Sequence, residues 1–366
     1  APLLGLCDGT RDFDALRMGF ELRTGIPLNG SMVEQLVAHL DKALLLDNDR
    51  FAKACSAALC QFRTAPCRPP ALAGGGYPDA PDELGKMLGQ YVSAVPGDSI
   101  SKYEFPDGIR GLISPHIDFQ RGGPVYAGVW SSAARSIADV ELAVIFGTDH
   151  LGGRNLLTLT KQNYSTPWGI LPTASNIVDR LAGAIGEEGV FQNELHHKNE
   201  HSIELALIWL HYFLGDRNCD VVPILCGSFE QFMNEGADPA RDGQIAAVVE
   251  VLGDVAKSRR TLVVAAADLA HMGPAFGDRH PIDANGRAKI SAADNSLIRM
   301  MCSADAEGFF DQIKREKDSR RICGLAPIYM TLRVLGQSRG ESSGYAHCPA
   351  DESNASLVSI CGVVLE

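Results

Sequence analysis

The chain has 366 residues, which is long for a single core and favours two domains, one of them large. Its composition is typical of a soluble globular protein, with 45% hydrophobic and 21% charged residues. No apolar run reaches the roughly 18 to 20 residues that a membrane span requires. The formal net charge of −12 disfavours nucleic acid and anionic membranes as partners.

The ten cysteines indicate the compartment in which the protein works. None of them forms a C-x-x-C pair, and several lie in apolar runs, which is typical of buried, reduced thiols in a cytoplasmic protein. A local disulfide or metal clip among Cys55, Cys60 and Cys67 is the alternative. The first residues also lack the basic and apolar regions of a secretory signal, so we expect a cytoplasmic location.

Residues 1–65 are predicted to form a separate helical module. Apolar residues recur there at helical spacing, at Val33, Leu36, Val37 and Leu40. A short hairpin is expected over 44–51, which would make the module winged-helix-like. Because no basic surface accompanies it, we expect a role in packing or protein docking and not in binding DNA.

Residues 66–366 are predicted to form the main domain, with 66–80 as a Pro/Gly-rich linker that packs on it. From residue 108 onward, apolar strands alternate with helical patterns. The expected strands are 109–115, 141–147, 219–225 and 261–267, with a β excursion over 155–172 and a closing hairpin near 344–347 and 356–365. The expected helices are 81–95, 124–137, 174–186, 200–213, 240–257, 283–301, 305–315 and 324–335. This alternation predicts an α/β fold, a three-layer α/β/α domain with a mixed, mostly parallel sheet.

Three of the predicted strands are followed by a histidine and an aspartate. The pairs are His116 with Asp118, His150 with Asp149, and His271 with Asp268. Since ligands bind at the carboxyl ends of strands in open α/β sheets, these side chains are expected to form one metal-type site. A single histidine is more often a core or capping residue, but three such pairs favour a function.

Two further stretches are expected to complete the site. In the predicted helix 200–213, His201 and Glu204 are three residues apart and would share one helical face, as a metal pair, a general base with its partner, or a solvated first turn. Gly122 and Gly123 precede a proline that would open a helix at Pro124, where backbone N–H groups could bind an anion.

The chain resembles the Memo family, known in prokaryotes as AmmeMemoRadiSam system protein B, over about residues 68–366. The similarity rests on successive motifs: R-P-P-A-L-A-G-G-G-Y-P (68–78), I-S-P-H-I-D (113–118), F-G-T-D-H (146–150), T-P-W-G (166–169), E-H-S-I-E (200–204), V-P-I-L-C-G (222–227), D-L-A-H (268–271) and I-C-G-L-A-P (322–327). The family is similar in fold to class III extradiol dioxygenases of the LigB type, which use non-haem Fe(II).

The resemblance implies metal binding by His116 and His150 and acid–base chemistry at His201. The resemblance implies that animal members have a cysteine at the position of Ala270, which has no donor atom, so Asp268 or His271 is expected to supply the third ligand. An Asp would suit Fe(II), and an all-histidine set would suit Zn or Cu. Asp118 and Asp149 are expected either to raise the affinity for a hard cation or to hold the imidazoles. Glu204 or Asp149 is expected to orient a ring nitrogen of His201, and Gly122 and Gly123 to leave room for substrate.

Two functions follow from this resemblance. In the first, the protein binds one divalent metal, iron or copper in preference to zinc, and oxidises a small-molecule substrate by dioxygenase-like chemistry. In the second, it is a non-catalytic scaffold that binds a ligand or peptide and partners a radical-SAM enzyme. The first requires an open coordination position for dioxygen.

Overall fold

The computed structural model describes residues 2–96, 105, 108–153 and 155–366. It separates into two compact units, Ala1–Thr64 and Ala65–Glu366. The first unit contains the helices α1 (Phe13–Thr24), α2 (Gly30–Lys42) and α3 (Asp49–Thr64). Its small core is formed by Leu3, Leu6, Leu16 and Val33.

The predicted hairpin over 44–51 is wrong. The helix α3 already begins at Asp49, and residues 2–64 contain no strand. The helix begins at Asp49 because the side chain of Asn48 caps it, accepting hydrogen bonds from the backbone N–H groups of Arg50 and Phe51.

The strands of the second unit are β1 (Gly111–Ser114), β2 (Leu142–Thr148), β3 (Leu157–Leu159), β4 (Tyr164–Thr166), β5 (Gly169–Leu171), β6 (Asp220–Cys226), β7 (Thr261–Ala266), β8 (His271–Met272), β9 (Gly340–Pro349) and β10 (Leu357–Leu365). The unit is built on an eight-stranded sheet with the order β3-β6-β2-β7-β1-β10-β8, in which β9 pairs with β10. Strands β6, β2, β7 and β1 run parallel, β3 and β10 flank them antiparallel, and β8 and β9 each pair antiparallel with β10. A separate hairpin is formed by β4 and β5.

Helices cover both faces of this sheet. Those on one face are α4 (Pro81–Ser93), α5 (Phe119–Ile137) and α8 (Ser202–Leu214); those on the other are α6 (Ser175–Ile185), α9 (Gly243–Ser258), α10 (Ala284–Cys302), α11 (Ala306–Arg315) and α12 (Leu325–Leu335), while α7 (Glu187–Val190) is a single turn. The strands divide their side chains between the two cores, as β2 shows: Ile145 packs on the first face and Val144 on the second. The predicted three-layer α/β/α fold with a mostly parallel sheet is confirmed.

One predicted helix begins earlier than expected. The helix α5 starts at Phe119, five residues before Pro124, because Asp118 caps it by accepting the N–H of Arg121. The ring of a proline normally clashes with the Cβ of the preceding residue and disfavours a helical conformation there. Gly123 has no Cβ, so the helix continues through Pro124. Pro124 therefore lies inside the helix, and the anion site predicted at a helix start there is not formed. No helix within the described residues is both long and apolar enough to cross a membrane.

Candidate metal centre

The site lies at the carboxyl ends of three neighbouring parallel strands. His116 follows β1, His150 follows β2 and Asp268 follows β7, which lies between them in the sheet. His201, the residue before α8, adds a third imidazole. The ring centroids of His116 and His150 are 4.9 Å apart, those of His116 and His201 5.5 Å, and those of His150 and His201 4.7 Å. Three histidines predicted from the sequence therefore converge.

The ring of His116 is held in one orientation. It is 2% exposed, and its Nδ1 lies 2.9 Å from the carbonyl oxygen of Ala266. A carbonyl only accepts, so Nδ1 carries the proton and Nε2 keeps its lone pair. Burial, together with the nearby His150 and His201, lowers the pKa of His116 well below its usual value. His116 thus presents a neutral nitrogen donor to the site.

Glu200 orients the other two imidazoles. Its carboxylate lies 3.0 Å from Nδ1 of His150 and 3.2 Å from Nδ1 of His201, and it also accepts the backbone N–H groups of both residues. Burial by itself would raise the pKa of Glu200, but the hydrogen bonds from the two histidines hold it far below its usual range. Burial likewise opposes protonation of His150, and the bond to Glu200 outweighs it, so the pKa of His150 is raised.

A thiol completes the cluster. Sγ of Cys323 is 3.3 Å from Nε2 of His116, and the donor atoms of His116, His150 and Cys323 lie within 4.8 Å of one another. A second group, His150, Glu200 and His201, satisfies the same limit. Burial raises the pKa of the Cys323 thiol well above its usual value. The backbone of Cys323 is fixed by Thr148, whose hydroxyl donates to its carbonyl at 3.2 Å.

The two residues predicted as third ligand lie beside this cluster and outside both groups. Oδ1 of Asp268 accepts the backbone N–H of His116 at 2.9 Å, and Oδ2 lies 3.7 Å from Nε2 of the same residue. Burial raises the pKa of Asp268. Nδ1 of His271 donates to the carbonyl of Leu269, and its ring packs edge-on against Phe276.

Glu204 and Asp149 do not contact His201 in the described structure, contrary to expectation. Glu204 is buried, and its carboxylate accepts hydrogen bonds from Arg68 and Tyr77. Asp149 pairs with Nδ1 of His196 at 2.8 Å. Both carboxylates are engaged elsewhere, so the orienting role predicted for them belongs to Glu200.

Asp118, Gly122 and Gly123 belong to the start of α5. Asp118 is a partly exposed cap paired with Arg121. A Cβ at Gly122 would lie 2.6 Å from a methyl carbon of Ile117, and one at Gly123 would lie 2.5 Å from the ring of Tyr91. The space beside these glycines is filled by protein, so they serve helix packing and do not leave room for substrate.

A cavity of about 730 Å³ opens beside His150 and Cys323. Its wall is mostly apolar, with a few charged groups. The lining includes Phe229, Met233, His271, Phe276, Lys317, Arg321 and Leu325. A cavity of this size is large enough for a small organic molecule.

Sequence reasoning missed Glu200 and Cys323 as site residues. Both stand in motifs that carry the family resemblance, E-H-S-I-E and I-C-G-L-A-P. A glutamate next to a site histidine was therefore a usable signal. For Cys323 the only local signal was the motif itself, because no apolar strand precedes it.

Comparisons with known proteins agree with the motifs. A family model described as Memo-like protein matches residues 68–364. A MEMO1 family protein of Aquifex aeolicus is 26% identical over 99% of this chain and 90% of its own length. A MEMO1 family protein of Methanopyrus kandleri is 30% identical over 76% of this chain and 91% of its own length, and one of Nitrosopumilus maritimus is 26% identical over 76% and 91%.

Proposed function

The chain belongs to the Memo-like family, and we propose that it binds one divalent metal through His116, His150 and Cys323 and oxidises a small molecule with dioxygen as electron acceptor. Iron or copper is the proposed metal, in preference to zinc. The observation that supports the proposal is the convergence of two imidazoles and a thiol within 4.8 Å.

The donor set fits such a metal. Imidazole suits Fe, Cu and Zn, and thiolate adds affinity for soft ions. The Nδ1 atoms of His116 and His150 are occupied by Ala266 and Glu200, which leaves Nε2 of each ring for the metal. Cys323 must lose its proton on binding, so metal uptake is expected to release a proton.

A bound iron or copper ion would supply one-electron chemistry with dioxygen. The protein's own residues would position and protonate the substrate. His201 is the residue that we assign to proton transfer, through Nε2, because Glu200 engages its Nδ1. The apolar side chains of Phe229 and Phe276 would seat the body of the substrate and exclude water.

Metal titration of the full chain tests the proposal. Protein is purified without chelator, stripped, and reconstituted anaerobically with Fe(II) or Cu, and bound metal is measured by elemental analysis. We expect one ion per chain in the wild type and at least a tenfold weaker affinity in Cys323→Ser and in His116→Ala. Cys348→Ser is the matched control, because Cys348 is a buried thiol bonded to the carbonyl of Arg121.

The same titration separates the two functions. His271→Ala is expected to keep the metal, since its ring lies against Phe276. If the wild type and His116→Ala retain metal equally, the metal-dependent oxidation is refuted. The chain would then be better described as a ligand- or peptide-binding scaffold for a radical-SAM partner.

A further inference from the structure

A buried arginine lies behind the metal centre, in the segment R-P-P-A-L-A-G-G-G-Y-P (68–78), to which the proposed function assigns nothing. We propose that Arg68 is a positioning residue, which sets the metal affinity and the acid–base geometry by holding the turn that carries Glu200 and His201. The proposal rests on the proposed function, since it concerns the same metal.

The guanidinium of Arg68 reaches three acceptors in that turn. Nε donates to the carbonyl of His197 at 3.0 Å, one terminal nitrogen donates to the carbonyl of Glu200 at 2.6 Å, and the other pairs with the carboxylate of Glu204. The side chain is fully buried and lies over the ring of Tyr164 at 5.1 Å. One rigid fork therefore spans the residues on either side of the site histidine.

Glu204 fixes the other end of this contact. Its carboxylate also accepts the backbone N–H groups of Ala71 and Leu72, at 2.7 and 2.9 Å, and the hydroxyl of Tyr77 at 2.5 Å. The first turn of α8 is thus tied to the segment 68–77 at several points. This is the role of Glu204 in the structure, in place of the catalytic role expected from its spacing to His201.

The backbone of Arg68 is itself anchored to the hairpin formed by β4 and β5. Its N–H donates to the carbonyl of Asn163 at 2.7 Å, and its carbonyl accepts the N–H of Ser165 at 3.0 Å. The hairpin strand β4 therefore fixes the backbone of Arg68, and the side chain of Arg68 in turn holds the carbonyl of Glu200. From there, the carboxylate of Glu200 continues to Nδ1 of His150 and of His201.

Loss of the Arg68 guanidinium is expected to change the position of the Glu200 carboxylate. If the Glu200 carbonyl loses its donor, the turn can rotate, and the carboxylate no longer holds both imidazoles at about 3 Å. Outer partners that orient metal-binding imidazoles typically contribute a factor of about 10 to 100 in metal affinity. A lysine at position 68 keeps the positive charge near Glu204 but cannot reach three acceptors at once.

Arg68→Lys in the full chain is the test. Co(II) is titrated into the stripped protein, and the intensity and energy of the thiolate-to-metal absorption and of the d–d bands are recorded at a temperature well below the unfolding midpoint. We expect about a tenfold weaker Co(II) affinity and altered d–d bands, in a protein that remains folded by circular dichroism. Arg333→Lys is the matched control, because Arg333 also pairs with a glutamate, Glu307, on a helix outside the site.

The outcomes separate this inference from the proposed function. If wild-type protein binds neither Co(II) nor the Fe(II) or Cu used to test the proposed function, the proposed function fails and the inference fails with it. If wild type binds Co(II) and the folded Arg68→Lys variant binds with the same affinity and the same spectrum, only the inference is overturned. Should Arg68→Lys not fold, Tyr77→Phe, which removes one donor to Glu204, is titrated instead, and an unchanged spectrum and affinity would equally overturn the inference.

Discussion

The stability of the protein toward acid is expected to depend on His197. This side chain is fully buried, its Nδ1 accepts the hydroxyl of Tyr164 at 2.7 Å, and its Nε2 donates to the carbonyl of Thr158 at 3.0 Å. Both nitrogens are satisfied only in the neutral ring. Burial lowers the pKa of His197 from its ordinary value of 6.5 to about 3.

Proton linkage gives the direction and the magnitude of the change in the free energy of unfolding with pH. Between pH 6.5 and pH 3, the unfolded chain binds a proton at His197 that the folded chain excludes, so stability falls as the pH falls through this range. Each pH unit costs about 1.4 kcal/mol, which gives a loss of about 2 kcal/mol between pH 7 and pH 5 from this group.

Urea unfolding at pH 7 and at pH 5, followed by tryptophan fluorescence, measures this loss. His197→Gln is expected to be less stable at pH 7 and to show a pH-dependent loss that is about 2 kcal/mol smaller than that of the wild type. Tyr164→Phe is the control, because it removes one hydrogen bond and keeps the buried imidazole. An equal loss in wild type and in His197→Gln would refute the reasoning.

Three further substitutions test single features of the fold. Gly123→Ala is expected to cost about 1 to 3 kcal/mol in thermal unfolding, because its Cβ would overlap the ring of Tyr91; unchanged stability with weaker ligand binding would favour a substrate space instead. Asp294→Asn removes the fully buried carboxylate that pairs with Arg320 and leaves only the partly exposed Glu316 as its partner, so it should cost about 3 kcal/mol in urea unfolding, whereas a wild-type midpoint would contradict this. Asp118→Ala removes a helix cap and should cost about 0.5 to 2 kcal/mol without changing metal affinity; a loss of metal would return Asp118 to the site.

The layered fold could be predicted because its central strands are continuous apolar runs in the sequence. A parallel strand covered by helices on both faces must be apolar along most of its length, as in residues 142–146 of β2. The start of α5 was harder to predict, because Gly-Gly-Pro is typical of a loop. Only packing against Tyr91 and Ile117 shows why two glycines occur inside a helix there.

The site residues that directly follow a strand could be predicted from the sequence, whereas those in the turn before α8 could be predicted only in part. His116 and His150 follow apolar strands directly, so the geometry of a parallel sheet brings them together. The sequence predicts Glu204 as a partner of His201, because three-residue spacing places two side chains on one helical face. The helix α8 begins only at Ser202, so His201 precedes it and that spacing rule does not apply.

The strand end at Asp268 shows why the third donor could not be predicted from local pattern. The carboxylate of Asp268 holds the backbone N–H of His116, and its carbonyl accepts the N–H of Gly324 at 3.0 Å. A Cβ at Gly324 would lie 2.5 Å from that carbonyl, so the close approach requires glycine directly after Cys323. Asp268 therefore connects two residues of the site that are 207 positions apart in the chain. We interpret the end of β7 as the support that places the thiol beside the imidazole, a relation that exists only after folding.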